Sequence, residues 1–92
     1  MSTHKTQVVS IAEAKALKGD YIAMEFLARR FFDGKGVQQS FQESFYWSSL
    51  ATSYGVKYLQ SMSQFAFKKL TIEEAARVNS KIQNWHDQLS PL

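Results

Sequence analysis

The chain contains no cysteine. Disulfide frameworks, cysteine-ligated zinc and thiol catalysis are therefore excluded. One proline and four glycines leave no room for a collagenous or linker-like chain. Uninterrupted apolar runs stop at three or four residues, far short of the ~20 that span a bilayer. No membrane-spanning helix is expected. The start is polar, and Val8-Val9-Ser10-Ile11 is too short for the apolar region of a signal peptide. The expectation is cytoplasmic residence, although leaderless secretion would leave no legible mark. Blocks of like charge are missing too. Eleven basic and eight acidic residues interleave to give +3. A nucleic-acid groove calls for a clustered basic stripe, so a nucleic-acid partner is disfavoured.

What the chain does have is helical spacing. Its 92 residues fit one domain, and 45% hydrophobic with 21% charged is ordinary globular composition. Ala23, Leu27 and Phe31 mark one helix face. Phe41, Phe45, Ser48 and Ala51-Thr52 mark a second, with Trp47 and Leu50 flanking it. Leu59, Met62 and Ala66 mark a third, with Phe65 and Phe67 beside them. Ile72, Ala75, Val78, Ile82, Trp85 and Leu89 form the longest stripe. Ile11, Ala14 and Leu17 predict an N-terminal helix over about 8–17, supported by the propensity of Ala12 and Ala16. Strand alternation is sustained nowhere.

Stop signals fall between these segments. Gly19 follows a basic last turn, and Gly34 and Gly36 break the chain after Asp33. Gly55 ends the middle helix, and Pro91 follows the last stripe. Ser40 with Glu43, and Thr71 with Glu74, are spaced as capping boxes. Gly19 and Gly55 stand 36 residues apart, and a helix pair with a glycine turn lies between them. Such a period is the mark of stacked helix hairpins, in which each pair buries its apolar face on its neighbour. The expected fold is all-α: a short right-handed α-solenoid of antiparallel hairpins, about five helices in all. Its parts are an N-terminal helix (1–18), one full unit (19–54), and a degenerate unit with a C-terminal capping helix (55–92).

Residues 19–55 resemble one Sel-one-like repeat, a relative of the tetratricopeptide repeat. The resemblance rests on Gly19, Ala23, Leu27, Phe31, Gly34, Gly36, Val37, Trp47, Ala51 and Gly55. Departures fall at Ala28, Ser40, Ser44, Ser48 and Thr52, where that family has glycine, aspartate, alanine, tyrosine and a smaller residue. After Gly55 the match weakens: Leu59, Ser63 and Phe67 stand at the alanine, leucine and aromatic positions. The resemblance implies a non-catalytic protein-binding role, as an adaptor or scaffold in signalling or secretion. Stand-alone bacterial members of this size imply a narrower role, an immunity protein that binds and neutralises a toxin or effector.

No catalytic constellation emerges from the residues. His86 and Asp87 are adjacent, so on a helix they diverge by about 100°. His4 lies near the start, far from both. Two separated histidines do not make a metal site, and no cofactor is expected. Glu73-Glu74 reads as a first-turn charge pattern before it reads as an acid pair. Gly34-Lys35-Gly36 lacks the strand and the ending of a phosphate loop. The aromatics Phe26, Phe31, Phe32, Phe41, Phe45, Tyr46 and Trp47 sit mostly at core spacing, so packing outweighs base stacking.

One set points outward. With Ala23, Leu27 and Phe31 turned inward, the far side of the same helix carries Tyr21, Glu25, Arg29 and Phe32. One period later, Tyr21, Arg29 and Phe32 correspond to Lys57, Phe65 and Lys68. Tyrosine, phenylalanine and arginine favour protein interfaces, so these seven residues form the candidate partner-binding surface. The alternative is ordinary solvated surface. Exposure of both Phe32 and Phe65 would favour the binding patch. A homo-oligomer that hides the solenoid ends is a further expectation.

Overall fold

A computed structural model describes residues 5–89, with the side chain of Leu89 excepted. His4, Pro91 and the apolar contact expected of Leu89 fall outside the described residues. The described residues are helical, with no strand among them. The five helices are α1 (Gln7–Leu17), α2 (Tyr21–Asp33), α3 (Phe41–Ser53), α4 (Gln60–Lys68) and α5 (Ile72–Leu89), and a 3-10 turn, Lys57–Leu59, leads into α4.

Local chemistry sets most helix ends. Thr6 Oγ1 accepts from Val9 N, and Asp20 Oδ1 accepts from both Ile22 N and Ala23 N. Each bond satisfies a first-turn amide that has no partner within its own helix. At α5 the capping box is complete: Thr71 Oγ1 accepts from Glu74 N at 3.1 Å, and Glu74 Oε1 accepts from Thr71 N at 2.9 Å. The Ser40 box is only half made. Its hydroxyl accepts from Glu43 N, while the Glu43 carboxylate lies 3.7 Å from Lys81 Nζ.

The turns after α1 and α3 share one hydrogen-bond pattern. Asp20 N donates to Lys15 O and Gly19 N to Ala16 O; Val56 N donates to Ala51 O and Gly55 N to Thr52 O. Both are Schellman caps, with glycine in the left-handed region at φ 97° and 104°. Gly36 (φ 76°) does a different job. Its carbonyl accepts from Thr6 N at 2.9 Å, and a Cβ there would lie 3.0 Å from Thr6 Oγ1 and 3.5 Å from Val9 Cγ2. The α2–α3 loop is thus clipped to the start of α1, and the clip requires glycine.

α3 is the hub of the core. It packs against α2, α4, α5 and the 3-10 turn, while α1 packs against α2. α3 accordingly buries Ser44, Tyr46, Trp47, Ser48, Leu50 and Ala51, an arc of about 200° at 100° per residue. Ala28 and Ser44 are both fully buried where α2 crosses α3. There the Ser44 hydroxyl donates to the Ala28 carbonyl at 3.0 Å. Small side chains let the two axes approach closely enough for that bond. Trp47 is buried beside Tyr46, ring edge toward ring at 4.9 Å, and its Nε1 has no hydrogen-bond partner among the described residues. Burial raises the Tyr46 phenol above its ordinary pKa, and the nearby Glu43 charge adds to the rise.

Three expectations are corrected. α1 turns Val9, Ala12 and Ala16 inward, not Ile11, Ala14 and Leu17; Ile11 and Leu17 are 50% and 64% exposed. The close α1–α2 contact selects alanines, and the Gly36 clip fixes Val9 against the loop. Phe41 and Phe45 are only half-buried; their rings meet Phe65 and Phe67 of α4. Ile72 is 86% exposed, so among the described side chains of the α5 stripe only Val78 and Trp85 are buried, with Ala75 and Ile82 partly covered.

Candidate interaction surface

The outer side of α2 and the edge of α4 form one continuous face. At its upper end Glu25 is the centre. Its Oε2 accepts from Arg29 Nε and Nη2, both at 3.3 Å, one helical turn along α2. Its Oε1 accepts from the Tyr58 hydroxyl at 2.6 Å, across the gap to the 3-10 turn. The Arg29 guanidinium also lies over the Tyr58 ring, 5.9 Å from its centroid. The bond to Glu25 holds the Tyr58 phenol above its ordinary pKa, with partial desolvation and the Glu25 charge adding to the rise and Arg29 opposing it. The neutral phenol that donates to Glu25 therefore persists past the normal tyrosine range and is lost only at strongly alkaline pH.

The lower end is aromatic. Phe32, Phe41 and Phe65 form a triangle, with ring centroids 5.7, 5.4 and 6.0 Å apart. These are favourable tilted and edge-on distances. The ammonium of Lys69 lies 5.0 Å from the Phe65 centroid. Phe65 is 47% exposed, whereas Phe32 is half-buried by its two neighbours. The exposure that would favour a binding patch is therefore met at Phe65 and not at Phe32, whose ring packs against the other two.

Of the seven candidate residues, the structure brings Glu25 to Arg29 and Phe32 to Phe65. Tyr21, Lys57 and Lys68 are exposed and stand outside both sets of contacts. Lys57, Lys68 and Lys69 make no salt bridge among the described residues, where the ion pairs are Lys5–Glu13, Glu25–Arg29 and Glu43–Lys81. The face is thus aromatic with uncompensated positive charge at its edge.

Three contributors, Tyr58, Phe41 and Lys69, are not among the expected residues. Tyr58 follows Lys57 and corresponds to Ile22 one period earlier, so an exposed tyrosine at that place was the available signal. Phe41 stands at core spacing in the sequence, which hides its part in this face. Lys69 sits after the last helical residue, where spacing along α4 no longer predicts direction.

A separate polar cleft of about 440 Å³ lies between the start of α1 and the segment 37–40, with Lys5, Glu13, Gln39 and Glu43 in its wall. The Lys5–Glu13 ion pair, at 2.8 Å, closes one side. Among the described residues no group of three or more histidine, aspartate or glutamate side chains stands where it could share a metal ion. No described helix is long and apolar enough to cross a membrane. Comparison with known proteins finds no matching family model, no matching curated protein and no matching solved structure.

Proposed function

We propose that the protein is a non-catalytic protein-binding module of the Sel-one-like repeat type, with the α2–α4 face as its recognition surface. The observation that carries this reading is the continuity of that face. Glu25, Arg29 and Tyr58 lock its upper end, and Phe32 and Phe41 hold Phe65 outward at its lower end. Rigid aromatic anchors lose little entropy on binding and dominate interface energetics. Lys57, Lys68 and Lys69 suit a partner that presents acidic groups around an apolar anchor. The equivalent Schellman turns 36 residues apart support the repeat reading. Neutralisation of a toxic effector is the narrower version and rests on size and resemblance; an adaptor in signalling or secretion would use the same face.

Affinity capture from the native cell tests the proposal. Capture with the unaltered chain is compared with capture by an Arg29→Ala/Phe65→Ala double variant. The expected result is loss of the captured protein with a melting temperature close to that of the parent, because both side chains are about half-exposed. Capture that survives the double substitution would remove this face as the binding site. Heparin retention with a steep salt dependence would favour a nucleic-acid partner instead.

A further inference from the structure

We draw no further inference here: the strongest candidate, the small polar cleft between the start of α3 and the α4–α5 turn, where Lys69 borders Ser40, Gln42 and Glu74, shares Phe41 and Lys69 with the recognition face already described and holds nothing that points to a ligand of its own.

Discussion

The two hairpins of this molecule are built unequally. α2 and α3 bury eleven side chains between them, including Met24, Leu27, Phe31, Trp47 and Leu50. α4 buries only Ala66, and among the described side chains α5 buries only Val78 and Trp85. The first pair packs face to face. The second pair leans separately on α3, each helix making its main contact there. The tryptophans repeat the contrast. Trp47 sits deep in the first pair with an unpartnered Nε1, whereas Trp85 lies at the rim and donates to the Tyr54 hydroxyl at 3.3 Å. The lesson is that α3 defines the domain. The first hairpin supplies the structure, and the second completes the cover of α3 and raises the aromatic edge that faces outward.

The largest expected effect breaks the first hairpin outright. Trp47→Ala should cost about 3–5 kcal/mol, read by urea unfolding. Trp47→Phe should cost much less, because it removes the lone buried N–H along with part of the ring. If the hairpins are as unequal as their burial implies, Trp85→Ala will cost clearly less than Trp47→Ala; equal losses would show the second pair to be an equal partner.

Gly36→Val comes next. It combines a strained positive φ with a Cβ pressed against Thr6, at about 2–3 kcal/mol. Gly55→Ala meets no atom within 4 Å and should cost only the backbone strain, about 1–2 kcal/mol. A reversal of that order would mean that the α1 clip adds nothing to stability.

The smallest effect sharpens the comparison at the second hairpin. Thr71→Ala removes the α5 cap and should cost about 1 kcal/mol. Amide exchange should quicken most in the first turn of α5 and leave α2 and α3 unchanged. A uniform rise across the chain would show that the two hairpins open together.

Much of this architecture is legible in the sequence, because glycines and caps act locally. Gly19, Gly34, Gly36 and Gly55 all take positive φ, and the Thr71–Glu74 box forms as its spacing predicts. The Ala23–Leu27–Phe31 face is buried as the period requires. The misreadings occur where tertiary contact, not period, decides orientation. On α1 two alanine-containing faces compete, and packing against α2 buries the one with Ala12 and Ala16 and leaves Ile11 and Leu17 exposed. On α3 no single stripe exists, because three helices cover it. At the surface, Glu25 and Arg29 are readable as an i, i+4 pair. Their third member, Tyr58, arrives from a segment 33 residues away, a distance that local patterning does not reach.

The bond between Thr6 and the carbonyl of Gly36 ties the far end of α1 to the middle of the first hairpin. α1 is thereby anchored at both ends, by this clip and by its glycine turn into α2. It cannot peel away from its tip while the loop stays shut. A protease that nicks the chain between Lys35 and Val37 would therefore do more than open a surface loop: it would also unfasten the opening helix, and the surface that α1 shares with α2 would come apart with it.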